Sequence, residues 1–212
     1  MCNILLGIDI GGTNIKIGRV ENSEIVAQTF IGVNANETEQ EILSSLFEAI
    51  DKVITPNVKA IGIGVPAVVD PLLGIVYDVQ NLPAWKEVAL KEIVEKRYNI
   101  PVHINNDANC FALGEKIFGK GKGFKNFIGL SIGTGIGMGI IINNGLYNGV
   151  LCGAGEVGMI PYKDGIMEDY ASGFFFTNTH KLSAMELSLR AAEGDKKALE
   201  CFAEFGSDRK ST

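Results

Sequence analysis

Two glycine-rich segments contain the residue types best suited to bind phosphate. The first, DIGGT at residues 9–13, places a carboxylate at the end of an apolar run, followed by two residues without a Cβ and a hydroxyl. The second, GTGIG at residues 133–137, offers backbone amides and a hydroxyl in a similar order. Glycines let N–H groups approach an anion closely, and a carboxylate beside phosphates is useful when Mg²⁺ lies between them. Tight hairpins use the same residues as turn formers, but two such turns together favour phosphate binding.

A third polar segment, NNDAN at residues 105–109, lies where a short apolar strand meets an expected helix. Asp107 is well suited to cap that helix, which is the simplest interpretation. The neighbouring asparagines exceed what a cap requires: amides can bind sugar hydroxyls, while an aspartate accepts the proton of a hydroxyl that attacks phosphorus. Phosphoryl transfer depends more on positioning than on strong basicity. We therefore expect Asp107 to be adequate as a base even with its pKa lowered by the helix dipole.

Two further carboxylates have unusual surroundings. Glu156 lies among small and apolar residues in GAGEVG, so it is either in a surface turn or a buried, partnered functional group. Glu168 precedes DYASG, where the start of a helix or a solvent-exposed face is as natural an interpretation as a functional role. Neither glycine segment is a Walker A loop or follows the G-x-G-x-x-G pattern. No Ser/His/Asp or Cys/His arrangement is evident, so hydrolase chemistry has little support.

The apolar pattern around these residues predicts a mixed α/β chain. Three strands, over residues 5–10, 14–20 and 24–33, are expected to form an antiparallel meander, with a Gly-Gly turn between the first two. A helix follows, with Asn36 as the expected N-cap, Glu39 three residues later, and apolar residues at helical spacing through Ile50. We then expect a glycine-interrupted strand from residue 58 that ends at Pro66, a helix over 85–98, a strand over 101–105 and a helix over 107–118.

The opening pattern returns after 122 residues. GIDIGGTNIKIGRVEN (residues 7–22) aligns with GLSIGTGIGMGIIINN (residues 129–144), with four of sixteen positions identical. Each copy reads as an apolar strand, small residues, a second strand and a polar turn. A chance resemblance between two hairpins is the alternative explanation to an internal repeat. A repeat of this length predicts two related α/β halves, with one glycine turn from each half on either side of a cleft.

Composition excludes several classes of protein. The 212 residues carry a net charge of −6, with 46% hydrophobic residues, which is typical of a globular chain. An acidic chain without a basic block is poorly suited to nucleic acid or anionic lipid. Residues 126–155 carry no charge, but glycine and asparagine interrupt them, which favours buried strands over a membrane helix.

The ends and the cysteines favour a cytoplasmic location. The first residues, MCNILLGIDIGG, lack the basic segment and cleavage site of a signal peptide. The four cysteines are widely separated and form no C-x-x-C pair, so we expect buried free thiols and neither disulfides nor zinc ligands.

Taken in order, the motifs resemble the ROK family of sugar kinases, the bacterial glucokinase-like group. The resemblance runs from about residue 4 to residue 176 and is carried by DIGGTNIKIG, GIGVPAVVD, NLPAW, NNDAN, SIGTGIGMGIIINNGLYNG, GAGEVG and EDYASG. It implies the actin/hexokinase-like (ribonuclease-H-like) ATPase fold, in which two α/β domains close around a cleft. We place these domains at residues 1–107 and 108–212, the second being incomplete relative to the family.

The resemblance also implies an activity, ATP-dependent phosphorylation of a hexose, with ATP and Mg²⁺ as cofactors. Asp107 would be the catalytic base, and Asp9 would bind Mg²⁺ through water. The implied sugar-binding residues are Asn81, Asn106, Glu156 and Glu168. The implied phosphate-binding residues are Asp9, Gly11, Gly12, Thr13, Thr134 and Gly135. The implied partners are a sugar and, as the family tends to dimerise, a second copy of the chain.

Three features depart from the family pattern. Met159 stands where a histidine commonly contacts the sugar and zinc, and residues 161–167 (PYKDGIM) replace the cysteine-rich zinc loop. We therefore predict no zinc and expect packing to replace it. Family chains continue past Gly206 with segments that hold adenosine, whereas this chain ends in a polar tail. We expect a truncated site with weak or absent turnover.

Two alternatives remain open. ROK transcriptional repressors carry a DNA-binding domain before the DIGGT-like strand, and only eight residues precede Asp9 here. We therefore expect no DNA binding. A sugar-binding protein without catalytic activity is the other alternative.

Overall fold

A computed structural model describes residues 4–11, 14–79 and 82–211, with side chains through residue 207. Gly12, Thr13 and Asn81, three of the implied ligand-binding residues, lie outside these ranges. The strands are β1 (Ile4–Ile10), β2 (Asn14–Glu21), β3 (Glu24–Gly32), β4 (Val58–Val65), β5 (Val68–Asp70), β6 (Ile75–Tyr77), β7 (Glu87–Val88), β8 (Val102–Asn106), β9 (Phe127–Ile132), β10 (Ile136–Ile142), β11 (Gly145–Leu146), β12 (Pro161–Tyr162) and β13 (Gly165–Ile166). The helices are α1 (Glu39–Val53), α2 (Leu90–Tyr98), α3 (Asp107–Ile117), α4 (Met167–Ala171), α5 (Ala184–Ala192) and α6 (Lys196–Ser211).

The chain divides into two compact units. The first contains Met1–Phe127 and Gly139–Ala154, and the second contains Ile128–Met138 and Gly155–Thr212. This grouping differs from the expected division after residue 107, because α3 packs against β4 and β8 of the first unit. The domain boundary therefore stays a prediction.

The first unit is built on a five-stranded sheet in the order β3-β2-β1-β4-β8. β1, β2 and β3 are antiparallel neighbours, which confirms the predicted meander, whereas β1, β4 and β8 are parallel. Alternate residues of β1 (Leu6, Ile8 and Ile10) are buried, as the period of a strand with one covered face requires. α1 packs against β2 and β3. The sheet thus brings the carboxyl ends of three parallel strands to one edge.

Two local expectations in this unit are wrong. The N-cap of α1 is Thr38, not Asn36: the Thr38 Oγ1 accepts the N–H of Glu41, and the Glu41 carboxylate accepts the N–H of Thr38. This reciprocal pair stabilises a start at Glu39. The helix expected over 85–98 begins only at Leu90, because Trp85 is fully buried and the next residues form β7 against β6. Local periodicity does not reveal this tertiary burial.

The uncharged segment forms strands, as expected, in a three-stranded sheet ordered β11-β10-β9. Its burial is less complete than expected, since Ile128, Leu130 and Ile132 are all more than one-third exposed. Within the part of the chain that the structure describes, no helix is both long and apolar enough to cross a membrane.

The second unit has its own small core. α5 and α6 pack together, and Phe175 and Phe176 lie against Phe202 and Phe205 with ring centroids 4.6–5.5 Å apart. Such offset and tilted contacts are favourable for aromatic pairs. This core lies directly after α4 in the chain and anchors the segment that carries Glu168.

Candidate functional site

The parallel strands of the first unit bring two of the implied site residues together. Asp9 lies in register with Gly64 of β4, and Gly64 lies in register with Asn105 of β8. A Cβ built on Gly64 would lie 3.5 Å from the Cα of Asp107, so the start of α3 packs against this row. β4 contributes no side chain at this point, and the Cys110 Sγ lies 3.5 Å from the same Cβ position. Asp9 and Asp107 therefore share one face of this sheet edge, with Cys110 beside them.

The N-cap of α3 is Asn106, not Asp107. The Asn106 Oδ1 accepts the N–H groups of Ala108 at 2.9 Å and Asn109 at 3.3 Å. The Asp107 Oδ1 accepts the Ala108 N–H at 2.8 Å. Asn106 therefore performs the capping role that was the simplest interpretation of Asp107. Only one oxygen of the Asp107 carboxylate, Oδ1, accepts an N–H of the helix.

The direction of the Asp107 pKa shift is opposite to the one expected from the helix dipole. Burial raises the pKa of Asp107, the hydrogen bond from the Ala108 N–H lowers it, and the negative charge of Asp9 raises it further, so that it lies above its ordinary value of 3.8. Desolvation and a like charge outweigh the favourable helix terminus here. A carboxylate with a raised pKa is a stronger proton acceptor once ionised.

This shift predicts a pH-dependent effect of Asp107→Asn on stability. As the pH rises through the ordinary pKa, the unfolded chain ionises first, so the native state loses stability until its own Asp107 ionises. Asparagine avoids that loss. Relative to wild type, we expect the free energy of unfolding of Asp107→Asn to increase between pH 3 and pH 7, measured by urea denaturation.

Asp51→Asn is the matched control for this prediction. Burial raises the pKa of Asp51, but hydrogen bonds from Tyr98 and Arg97 outweigh it and lower the pKa below the ordinary value. The stabilisation from this group is present above the unfolded pKa and is lost as the pH falls through the folded value. Its substitution should therefore cost more at pH 7 than at pH 3. The same trend in both variants would contradict the assignment for Asp107.

The other asparagines of NNDAN have structural contacts. The Asn105 Oδ1 accepts the Asn106 N–H, the Asn109 Nδ2 and the Cys152 Sγ–H at 2.8–3.2 Å. The Asn105 Nδ2 donates to Asn148 at 3.0 Å. Asn109 is fully buried. Asn105 thus joins β8, α3 and the segment around Asn148, which holds the start of α3 in place.

In the second unit, the other glycine turn is tied to Glu168. The Gly133 N–H donates to the Gly135 carbonyl at 3.0 Å, and the Ile136 N–H donates to the Glu168 Oε2 at 2.6 Å. A Cβ on Gly135 would overlap the Glu168 carboxylate. The structure therefore brings together Thr134, Gly135 and Glu168, which the resemblance divides between phosphate and sugar.

The loop with Glu156 packs on the same turn. Glu156 is exposed. Gly155 has a positive φ of 97° and leaves no room for a Cβ beside the Met138 carbonyl. A Cβ on Gly158 would lie 3.1 Å from the Ile136 carbonyl. The glycines on either side of Glu156 thus permit close contact with the first residues of β10, which follow the turn. The surface-turn interpretation of Glu156 fits its exposure.

Residues 161–167, which replace the family's zinc loop, form the hairpin β12–β13. The Asp169 carboxylate accepts the Ile166 N–H at 3.0 Å, and the Tyr170 hydroxyl donates to Asp164. Among the described residues, no group of three or more His, Cys, Asp or Glu side chains could hold a metal ion. Protein contacts thus hold this hairpin to α4, and the absence of zinc stays a prediction.

The comparisons with known proteins agree on the class of fold. A ROK-family glucokinase from Streptomyces griseus, solved with glucose and AMPPNP, superposes with a TM-score of 0.79 and 30% identity, covering 96% of this chain and 75% of that one. A ROK hexokinase from Thermus thermophilus is also similar in structure to this chain. The fold is the actin-like ATPase fold. The sequence pattern of the ROK family matches residues 5–208, and the chain belongs to the ROK family.

Two kinds of relative are similar in sequence. A glucokinase from Streptomyces coelicolor is 37% identical over 183 residues, which are 80% of this chain and 56% of that protein. A xylose repressor from Caldicellulosiruptor bescii is 37% identical over 186 residues, which are 79% of this chain and 46% of the repressor. The chain therefore spans about half the length of the curated relatives it matches. The family contains both kinases and regulators.

Proposed function

We propose that this chain phosphorylates a hexose with ATP, with Asp107 as the general base. The observation that carries the proposal is the position of Asp107 at the carboxyl end of β8, on the same face as Asp9 and with a raised pKa. Asp107 would accept the proton of the attacking sugar hydroxyl. Asn81, Asn106, Glu156 and Glu168 would bind the sugar, and Asn106 could do so through its Nδ2 because its Oδ1 caps α3.

The residues near Asp9 fit a Mg²⁺–phosphate ligand. The Asp9 side chain is 57% exposed, so its oxygens can reach a hydrated cation. The Lys16 Nζ lies 4.0 Å from the Asp9 Oδ2. A Cβ on Gly11 would lie 2.9 Å from the Asn14 carbonyl, so a side chain at this position would be crowded. When bound, Mg²⁺ neutralises phosphate charge. Gly11, Gly12 and Thr13 would bind phosphate beside Asp9.

The second turn offers a smaller set of donors. Because the Gly133 and Ile136 N–H groups donate within the protein, we assign phosphate binding to the N–H groups of Thr134 and Gly135 and to the Thr134 hydroxyl. Thr134 and Gly135 thus remain the proposed phosphate-binding residues of this turn, and their N–H groups and the Thr134 hydroxyl are the proposed donors.

A sugar-responsive regulator or a non-catalytic sugar-binding protein is the second candidate. It is favoured by the 37% identity to a xylose repressor. Calorimetry with glucose, mannose and N-acetylhexosamines, with and without ATP-Mg²⁺, separates the candidates, together with a coupled ADP-release assay. We expect binding of both a hexose and the nucleotide, with weak sugar-dependent ADP release. Sugar binding without nucleotide binding would instead support the second candidate.

A further inference from the structure

The segment of residues 168–174, here called the strap, is bound along the second glycine turn. The Gly173 N–H donates to the Gly133 carbonyl at 2.8 Å, and the Phe174 N–H donates to the Thr134 carbonyl at 3.1 Å. At its other end, the Glu168 carboxylate accepts the Ile136 N–H. The strap therefore contacts the turn at both ends through hydrogen bonds.

Ser172 is the central residue of this contact. It is fully buried, and its Oγ lies 2.8 Å from the Thr134 carbonyl and 2.7 Å from the Glu168 carbonyl. The same oxygen accepts the Phe174 N–H at 3.1 Å. A buried hydroxyl with these three partners links the turn to both ends of the strap. Alanine at this position removes the hydroxyl and its hydrogen bonds to the turn and to both ends of the strap, and the loss of such bonds in a buried site is costly.

The close approach also requires small residues. A Cβ on Gly173 would lie 2.9 Å from the Gly133 carbonyl and 3.1 Å from the Thr134 Cα. Gly135 has no room for a Cβ beside Glu168. The turn and the strap are therefore closely packed against each other. We expect a shift of the strap to move the turn.

We infer that the strap positions the phosphate-binding turn and couples it to the sugar, with Ser172 as a positioning residue. This inference rests on the proposed function. A hexose hydroxyl on Glu168 would restrain the carboxylate that holds Ile136, and thereby the N–H groups offered to phosphate. By thermodynamic linkage, sugar and nucleotide then raise each other's affinity.

Hydrogen exchange on the ligand-free chain tests the strap itself. We expect Ser172→Ala to speed exchange of the Gly133 and Ile136 amides by about five- to tenfold, the effect of one lost hydrogen bond. Ser183→Ala is the matched control, because the Ser183 hydroxyl is engaged in the cap of α5 in the same unit, where it accepts the Glu186 N–H. Equal exchange at these amides in the two variants would overturn the inference.

A second variant keeps the test valid if Ser172→Ala does not fold. Glu168→Ala removes the acceptor of the Ile136 N–H from a half-buried position. It should speed exchange at Ile136 and leave the Tyr147 amide, which donates to the Ile140 carbonyl, unchanged. Unchanged exchange at Ile136 would also overturn the inference.

Calorimetry then tests the coupling. Saturating glucose should strengthen binding of Mg²⁺–AMPPNP to wild type by about fivefold or more, and Ser172→Ala should reduce this gain to below about twofold while Ser183→Ala retains it. A gain unchanged in Ser172→Ala would overturn the coupling. If wild type binds neither probe, the proposed function and the coupling fail together, while exchange still decides whether the strap holds the turn.

Discussion

Asp107→Asn is expected to lower kcat for hexose phosphorylation by about 10²–10⁴-fold, the usual contribution of a general base. The substitution keeps an oxygen that can accept the Ala108 N–H, and the cap of α3 belongs to Asn106. The helix should therefore remain in place. Because only the proton acceptor is lost, glucose affinity should change little. The measurement is a coupled assay of ADP release, with calorimetry for glucose.

Asp51→Asn is the control for activity as well. Asp51 lies on α1 and pairs with Arg97 and Tyr98, so its loss affects stability without touching the proposed site. Its kcat should equal that of wild type. Full activity in Asp107→Asn would show that another group accepts the proton.

Gly139→Ala is expected to destabilise the chain by about 1–3 kcal/mol, the usual cost of overpacking. Gly139 lies in β10 against the first turn of α3: an added Cβ would lie 2.6 Å from the Ala108 carbonyl and 3.1 Å from the Asn109 Cα. Both are backbone atoms, so α3 or β10 must move. Since Asp107 begins α3, we also expect a loss of kcat. Urea denaturation and the coupled assay measure the two effects.

Gly114→Ala is the matched control on the same helix. No atom lies within 4 Å of a Cβ added at Gly114. Alanine is preferred to glycine inside a helix, so this variant should be more stable than wild type by about 0.5–1 kcal/mol. If Gly139→Ala were as stable as Gly114→Ala, the close packing of β10 on α3 would be wrong.

The sequence alone determined the family and most of the local elements. Ordered motifs identified the ROK family, which the match over residues 5–208 confirms, because glycine turns and polar strand ends leave clear patterns in residue type and spacing. An apolar segment that ends at a glycine turn predicted β1, and helical spacing of apolar residues predicted α1, since that period reflects one buried face. The catalytic and ligand-binding roles stay predictions.

Tertiary structure decided which polar group has which partner. Asn106 rather than Asp107 caps α3, burial and Asp9 raise the Asp107 pKa, and Ser172 links the strap to the second turn. In EDYASG, the sequence predicted a role for Glu168 but not for Ser172. The Ser172-Gly173 pair, a hydroxyl next to a residue without a side chain, was the feature that could have indicated it. These features depend on hydrogen bonds and desolvation between residues far apart in the chain. Spacing along the chain carries no information about such contacts, because they form only when the sheet and helices pack.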